Sequence, residues 1–401
     1  MSMRVRAATV AGCCALALGG TALGQAALRP DTPPLLFWNA DQQLAWYPHM
    51  ETIYPVRVVR HGEHVQALGP AARPIAMHPF TWAGRSWTLD DFMTAYRISG
   101  LIVLKDGKVA LERYALGRKP EERWTSFSVA KSVTSLLAGA AVADGRLALD
   151  DQVVRFVPEL KGSAYEGVTV RQLLTMSSGV KWDETYSDPN SDIARWAAIS
   201  GKDPDAVFSY LKGLPRAHAP GSTWHYNTAE TNLAGVLVSR AAGKPLADYL
   251  SEKIWRPYGM EADGVWMLDH AGREIAGCCL SATLRDFARI GQFALDNGVA
   301  EGKAIEPPDW IAQSTRVQIA NDQPAPAGYG YFWWIGRESY EASGIFGQAI
   351  RVYPKDRVVI AVIPPSARLT RPSCGAPSKL WRRRCEMVRQ GGCNSSPPPA
   401  P

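Results

Sequence analysis

Ser128 and Lys131 lie three residues apart and are the pair best suited to nucleophilic chemistry in this 401-residue chain. At helical spacing both side chains share one face, so the Lys131 amine can reach the Ser128 hydroxyl. A serine attacks a carbonyl carbon only after a base has taken its proton, and a neutral lysine can be that base. Because the ordinary pKa of lysine is about 10.4, we expect Lys131 to be buried, which would lower its pKa.

The Ser-x-x-Lys spacing is not selective by itself, since it also occurs over residues 178–181 and 209–212. Ser128 differs from the other two serines because it opens a long apolar helix. Apolar side chains recur on one face of that helix over residues 133–140. The alternative interpretation is structural: Ser128 would cap the helix, and Lys131 would lie on its surface.

The elements around this helix predict an α/β layered domain. Two β-type stretches, residues 101–105 and 109–114, flank Asp106 and Gly107, which are a strong hairpin signal. Further strands are predicted late in the chain, so we expect strands from both ends of the chain to share one sheet. The late strands are predicted over residues 329–335, 344–353 and 358–362, and the helices over residues 128–144, 169–179, 231–242 and 281–297.

Composition divides the chain into four parts. Residues 1–26 have the basic start, short apolar stretch and small-residue cleavage site of a secretory signal. Residues 27–95 are rich in Pro and Trp and predict an extended segment, while residues 96–365 form the main domain. The basic, Pro-rich residues 366–401 predict a tail of low order. No later stretch reaches the ~18 apolar residues of a membrane span, so we expect a periplasmic or secreted protein.

Charge and cysteine content exclude several classes of function. Nine of the 44 basic residues and one of the 38 acidic residues lie in the first 26 or last 36 positions, which leaves 35 basic and 37 acidic residues between them. This near-neutral part gives no reason to expect nucleic acid. Seven cysteines without a spaced framework argue against a disulfide scaffold, and no Cys/His set has metal-site spacing. We therefore expect no metal and no cofactor.

Short motifs follow one another in a characteristic order between about residues 98 and 362. They are Ser128-Val-Ala-Lys131, Leu173-Leu-Thr-Met-Ser-Ser-Gly179, Tyr226-Asn-Thr228, Leu233-Ala-Gly235, Pro257-Tyr-Gly-Met260, Gly328-Tyr-Gly-Tyr-Phe-Trp-Trp334 and Gly344-Ile-Phe-Gly-Gln348. This series resembles the β-lactamase-related serine hydrolases: class C β-lactamases, DD-peptidases, family VIII esterases and nylon-oligomer hydrolases. The resemblance implies a β-lactamase/DD-peptidase-like three-layer sandwich over residues 96–365. This α/β fold has a mainly antiparallel sheet flanked by helices, with an all-helical region.

The resemblance also implies roles for individual residues. Ser128 would be the acylated nucleophile and Lys131 its base partner. Tyr226 would help to move protons to and from Ser128 and the leaving group. The Ser128 N–H and one backbone N–H near Gly344 or Gly347 would form the oxyanion hole.

Three regions depart from the family pattern or add to it. The Tyr-x-Asn motif ends here in Thr228, with Asn227 beside it as a candidate substrate contact. Residues 340–344 lack the Lys-Thr-Gly or His-x-Gly motif, whose cation binds the substrate carboxylate in penicillin-binding members. Tyr186, in a polar loop, resembles a tyrosine that assists amide turnover in the nylon-oligomer branch.

Together these features predict a secreted serine hydrolase that cleaves an ester or small amide through an acyl-enzyme on Ser128. A DD-peptidase or β-lactamase is the enzymatic alternative. The other alternative is a binding protein of the penicillin-recognising fold that has lost turnover. The expected partner is a small-molecule ester or amide, without nucleic acid and without a membrane span, and the sequence specifies no oligomeric state.

Overall fold

The structure is a computed structural model. It describes residues 34–75, 78–82, 84–199, 203–321 and 327–365. The predicted signal peptide (residues 1–26) and the predicted low-order tail (residues 366–401) lie outside these ranges and stay predictions. Within the described ranges, no helix combines the length and apolar content that crossing a membrane requires.

Eleven α-helices and fifteen β-strands are found in these ranges. The helices are α1 (Ala40–Trp46), α2 (Leu89–Ala95), α3 (Val129–Ala143), α4 (Val153–Phe156), α5 (Val170–Leu174), α6 (Asp192–Ala197), α7 (Ala206–Lys212), α8 (Thr228–Ala242), α9 (Leu246–Leu250), α10 (Leu284–Leu295) and α11 (Trp310–Ser314). The strands are β1 (Val56–Val59), β2 (Phe80–Trp82), β3 (Arg85–Trp87), β4 (Gly100–Lys105), β5 (Lys108–Tyr114), β6 (Trp124–Thr125), β7 (Gly264–Met267), β8 (Leu280–Ala282), β9 (Val299–Ala300), β10 (Lys303–Ala304), β11 (Gly328–Tyr329), β12 (Trp334–Ile335), β13 (Tyr340–Ser343), β14 (Ala349–Tyr353) and β15 (Val358–Ile363).

A seven-stranded antiparallel sheet with the order β11-β12-β13-β14-β15-β4-β5 forms the centre of the molecule. The late strand β15 pairs with the early strand β4, where Ala361 lies opposite Ile102. The β4–β5 turn has φ of 52° at Asp106 and 74° at Gly107, the left-handed pair that suits a two-residue hairpin turn. The prediction that early and late strands share one sheet is therefore confirmed.

Helices cover both faces of this sheet. α10 packs against β4, β14 and β15, and a Cβ on Gly291 would lie only 2.5 Å from the Val359 side chain. On the opposite face, Phe92 of α2 shares a core with Leu101 and Ile360. A helical region is built around α8, which packs against α3, α4, α5, α6 and α9. These layers confirm the predicted three-layer sandwich with its helical region.

A second, four-stranded sheet with the order β1-β7-β8-β6 lies next to the start of α3. β6 pairs with β8 through Trp124 opposite Ala282. The chain leaves β6 at Thr125 and enters α3 within four residues, while β8 directly follows residues 276–279. One small sheet therefore fixes both the segment before Ser128 and the segment before β8.

The structure differs from the sequence prediction in three respects. Residues 27–95, predicted to be extended, contain α1, β1, the β2–β3 hairpin and α2 in their described part. Residues 344–348 form the turn between β13 and β14 rather than the start of a strand, and residues 330–333 separate β11 from β12. The predicted helix over residues 169–179 ends at Leu174. Residues 27–95 differ because strands there form by pairing with distant parts of the chain, which local patterns do not show. Residues 330–333 and 344–348 differ because their glycines permit turns within apolar stretches.

Gly179 ends the stretch that follows α5, and a side chain there would collide with the backbone. Its φ is 76°, and a Cβ would lie 2.1 Å from His218 O. We expect Gly179→Ala to lower the free energy of unfolding by about 3 kcal/mol or more, since the left-handed backbone costs about 1–2 kcal/mol and the forced overlap a similar amount.

Gly243→Ala is the matched control for this prediction, because Gly243 has a φ of 69° but nothing within 4 Å of a Cβ. It should lose about 1 kcal/mol, the cost of the left-handed conformation alone. Urea denaturation of both variants measures the difference. If both variants lost the same free energy of unfolding, the close approach of a Cβ at residue 179 to His218 O would add nothing, and the prediction would be wrong.

Candidate active site

Ser128 lies at the N-terminal end of α3, directly after a tight turn. Phe127 has a φ of 44°, a left-handed conformation that non-glycine residues seldom adopt. The Phe127 ring is held by edge-on contacts with Tyr47 and Phe346, at centroid distances of 5.4 and 4.7 Å. Backbone strain persists only where the surroundings impose it, and it clusters at catalytic residues. The aromatic contacts therefore hold the turn that presents Ser128.

Lys131 is 1% exposed, and its amine has two acceptors. Nζ donates to Ser128 Oγ at 3.1 Å and to Gly277 O at 2.8 Å. Burial lowers the pKa of Lys131 to about 8, while the negative charge of Glu184 opposes that effect. About half of the amine is then neutral at about pH 8 and can accept the Ser128 proton. This burial contradicts the alternative in which Lys131 is a surface residue.

The carbonyl that binds Lys131 is fixed by two helices. Gly277 N donates to Asn232 Oδ1 of α8 at 3.0 Å, and Thr134 Oγ1 of α3 donates to Ala276 O at 2.9 Å. A Cβ on Gly277 would lie 3.2 Å from Lys131 Nζ, so the glycine leaves space for the amine. Sequence reasoning missed this segment because no local pattern marks it, and only the packing of α3 on α8 gives it a role.

A disulfide joins the adjacent residues Cys278 and Cys279, directly after Gly277. The sequence predicted no spaced disulfide framework, and a bond between neighbouring residues does not form one. Cys279 O accepts from Met267 N at 3.2 Å, which ties the pair to β7. The disulfide therefore belongs to the segment that supplies the Lys131 acceptor.

Tyr226 lies beside the Ser128–Lys131 pair. The Ser128 side chain acts to lower the pKa of the Tyr226 hydroxyl, and Lys131 Nζ lies 5.3 Å from the centroid of the Tyr226 ring. The ring stacks on Trp334 at 5.6 Å. Burial, with a further contribution from the charge of Glu184, raises the pKa of Tyr226 far above its ordinary range. The phenol therefore stays protonated and can relay a proton, which leaves Lys131 as the group whose basic form is populated near pH 8.

Glu184 connects the loop of Tyr186 to the start of α8. The Tyr186 hydroxyl donates to Glu184 Oε1 at 2.6 Å, and Thr228 N donates to Oε2 at 3.0 Å. The Thr228 hydroxyl and the Trp182 indole N–H also donate to this carboxylate. Sequence reasoning missed Glu184 because nothing in an acidic loop distinguishes it from its neighbours. Its partners on α8 are some 44 residues away in the chain.

The structure corrects the prediction of a substrate contact at Asn227. Asn227 is the N-cap of α8, where its Oδ1 accepts from Glu230 N at 3.1 Å. The side chain is buried, and its Nδ2 is directed to Glu230 Oε1 at 3.4 Å. A capping amide that is buried in this way contributes to helix stability and does not face a substrate.

The two glycines predicted as oxyanion donors already use their N–H groups within the β13–β14 turn. Gly344 N donates to Gln348 O at 2.8 Å, and Gly347 N donates to Gly344 O at 3.0 Å. Gly344 instead permits a close approach, because a Cβ there would lie 2.8 Å from Ser126 O. The assignment of either glycine as the second donor is therefore corrected. The Ser128 N–H keeps its predicted place at the N-terminal end of α3.

Several known proteins are similar to this chain. The model of the β-lactamase family matches residues 88–369. The 6-aminohexanoate-dimer hydrolase of Paenarthrobacter ureafaciens is 28% identical over 346 residues, which cover 82% of this chain and 87% of that protein. Esterase EstB of Burkholderia gladioli is 33% identical over 147 residues, 34% of this chain and 37% of the esterase. A solved structure of a Bacillus anthracis protein, provisionally named a 6-aminohexanoate-dimer hydrolase, shares the fold. It superposes with a TM-score of 0.76 at 23% identity, over 90% of this chain and 98% of that one.

The lowered pKa of Lys131 predicts a pH dependence for the reactivity of Ser128. Because the neutral amine takes the serine proton, the rate of labelling by a fluorophosphonate should rise with pH and level off above an apparent pKa of about 8. Labelling rates between about pH 6 and pH 10, followed by mass spectrometry, measure this profile. A labelling rate that does not change with pH would show that Lys131 is not the base.

Proposed function

The chain belongs to the β-lactamase family of serine hydrolases, and on that premise we propose that it cleaves an uncharged ester or small amide through an acyl-enzyme on Ser128. One observation carries the proposal: the buried Lys131 amine, with its lowered pKa, donates to Ser128 Oγ at 3.1 Å. A serine with a partly neutral lysine beside it is an activated nucleophile. Secretion is part of the proposal and rests on the composition of residues 1–26; N-terminal sequencing of the mature protein tests it.

The reaction follows from the positions of three side chains. Neutral Lys131 takes the Ser128 proton as Oγ attacks the carbonyl carbon of the substrate. The oxyanion that forms lies near the Ser128 N–H, at a helix N-terminus that favours negative charge. Tyr226, whose ring centroid lies 5.3 Å from Lys131 Nζ, passes a proton to the leaving group. Water then attacks the acyl-enzyme and releases Ser128 by the reverse proton transfers.

The end of β13 supports a substrate without a carboxylate at the reacting end. Ala342 and Ser343 precede Gly344, whereas the resemblance to penicillin-binding relatives leads us to expect a cation before the glycine. The guanidinium of Arg351 on β14 is paired with the Glu341 carboxylate on β13, and both are buried. This strand therefore presents no cation to a substrate carboxylate. An esterase and an amide hydrolase are both among the similar proteins, which supports both leaving-group classes.

Ser128→Ala should abolish turnover of a short-chain nitrophenyl ester and covalent labelling, because it removes the attacking oxygen. Intact-mass analysis of the purified protein after exposure to a fluorophosphonate should show one adduct on the wild type and none on Ser128→Ala. Ser209→Ala is the matched control, since it removes the exposed serine of another Ser-x-x-Lys pattern, and it should label like the wild type.

A parallel exposure to penicillin decides between the alternatives. No lasting adduct, together with ester turnover, is expected for the proposed hydrolase. A lasting adduct on Ser128 would instead indicate a cell-wall enzyme. A folded wild-type protein that neither labels nor turns over ester would be a binding protein, and the proposed function would be wrong.

Tyr226→Phe should slow hydrolysis by ~100-fold or more, the range of a lost general acid–base group. Tyr329→Phe is its control, because Tyr329 lies edge-on to Tyr226 at 6.5 Å in the same buried aromatic cluster. The control removes a neighbouring hydroxyl and should change kcat only slightly. Steady-state kinetics of both variants with the same ester measure the effect. Similar rates in the two variants would show that Tyr226 only packs in the core and takes no part in proton transfer.

A further inference from the structure

The disulfide between Cys278 and Cys279 lies directly after the carbonyl that binds Lys131. Because the bond joins neighbouring residues, it closes a small ring that contains their peptide bond and restricts ψ of Cys278 and φ of Cys279. Cys279 has a φ of 69°, a left-handed conformation that is costly for a residue with a side chain. The ring therefore holds a backbone conformation that an unlinked cysteine would tend to leave.

The restricted residues join two parts of the active site. After them, β8 pairs with β6 and β7, and Met267 N donates to Cys279 O at 3.2 Å. Before them, Gly277 O accepts from Lys131 Nζ at 2.8 Å. Because β8 is fixed in its sheet, a change of φ at Cys279 moves the residues before it, and Gly277 O moves with them.

Other hydrogen bonds keep this segment folded when the disulfide is open. Cys278 N donates to Ile275 O at 2.9 Å. The Trp266 indole N–H donates to Ile275 O and to Cys278 O, both at 3.0 Å. Side chains of α3 and α8 also bind the backbone just before the disulfide. Opening the bond should therefore shift the Gly277 carbonyl without unfolding the protein.

The two cysteines differ in exposure. Cys278 is partly exposed, whereas Cys279 is 1% exposed. A thiolate attacks a disulfide at a sulfur that it can reach, so an external dithiol should attack Cys278 Sγ. Cys279 Sγ then leaves as a thiolate and takes a proton. The second thiol of the reagent breaks the mixed disulfide, which releases the Cys278 thiol and oxidises the reagent to its own disulfide.

We propose that the Cys278–Cys279 pair is a redox-sensitive site, at which reduction by an external dithiol displaces the Gly277 carbonyl from Lys131 and thereby changes the reactivity of Ser128. This inference rests on the proposed function and adds a form of regulation to the same site. The oxidised pair holds the acceptor against Lys131, and the reduced pair releases it.

The loss of this acceptor has a defined effect on Lys131. A buried ammonium is stabilised by its acceptors, so the removal of Gly277 O lowers the pKa of Lys131 further. The Glu184 charge, which raises that pKa, and the Tyr226 phenol are present in both redox states. With one hydrogen bond to a charged group lost, the midpoint of the pH profile for Ser128 labelling should fall by about 1 pH unit.

The test is the fluorophosphonate labelling profile of the wild type, measured with and without dithiothreitol. Alkylation of the native protein with iodoacetamide, followed by peptide mass spectrometry, measures how much of the pair is reduced. The reduced protein should have a midpoint about 1 pH unit lower and should regain the original midpoint after re-oxidation. An unchanged midpoint in fully reduced protein would overturn the inference, as would a pair that resists dithiothreitol in the folded protein.

Two double variants separate the backbone effect from the charge of a thiolate. Cys278→Ser/Cys279→Ser has neither a disulfide nor a thiolate, and its midpoint should match that of the reduced wild type. Cys278→Ser/Cys279→Gly also lacks the disulfide, but glycine adopts the left-handed conformation readily. Its midpoint should therefore lie closer to that of the oxidised wild type, and equal midpoints in the two variants would overturn the inference. If either variant does not fold, reduction of the wild type decides alone.

The cysteines of the C-terminal tail provide the matched control. Cys374→Ser/Cys385→Ser/Cys393→Ser removes three other thiols and keeps the Cys278–Cys279 pair. This variant should respond to dithiothreitol as the wild type does. A midpoint that no longer moves would assign the response to the tail, and the inference would be wrong.

The same labelling separates this inference from the function on which it rests. Ser128-dependent labelling in both redox states, with the lower midpoint after reduction, supports both proposals. Ser128-dependent labelling with a single midpoint overturns the redox-sensitive site and leaves the hydrolase in place. Absence of Ser128-dependent labelling in either state overturns the proposed function itself, and this inference with it.

Discussion

The burial of the Lys131 amine is the constraint on which the rest of the structure depends. An amine inside a protein needs acceptors in place of water, because an unpaired buried cation is costly. Ser128 Oγ and Gly277 O are two such acceptors, and burial still lowers the pKa of Lys131 to about 8. Stability and reactivity are opposed at this point. More acceptors would favour the charged amine, whereas the chemistry needs the neutral one.

This constraint requires segments that are distant in sequence to meet within a few ångströms. α3 carries the nucleophile and the amine, the segment before β8 carries the acceptor, and the residues before α8 carry the phenol. The β13–β14 turn contacts Phe127 through Phe346 at 4.7 Å. Each segment is anchored to a sheet or to a long helix. Side chains on such elements hold their relative positions better than side chains on free loops.

Local patterns predicted much of the fold. Apolar periodicity and terminal glycines placed α3, α8 and α10, and Asp106-Gly107 placed the β4–β5 hairpin. The N-terminal segment was harder, because β1 forms by pairing with β7, where Val56 lies opposite Met267. Residues 344–348 look like a strand because they include apolar side chains. Their glycines, however, allow the chain to reverse there, and the antiparallel partner β14 follows.

The sequence by itself determined the family, the layered fold and the spacing that sets Lys131 beside Ser128, because these depend on motif order and on one helical turn. Only the tertiary structure decided which neighbours those groups have. In the folded protein Asn227 caps a helix, and the N–H groups of Gly344 and Gly347 form hydrogen bonds within the β13–β14 turn. Glu184 lies at the start of α8, where it accepts from Thr228 N. Hydrogen-bond direction and burial depend on atoms from distant segments, and a linear pattern contains no information about which of those atoms will meet.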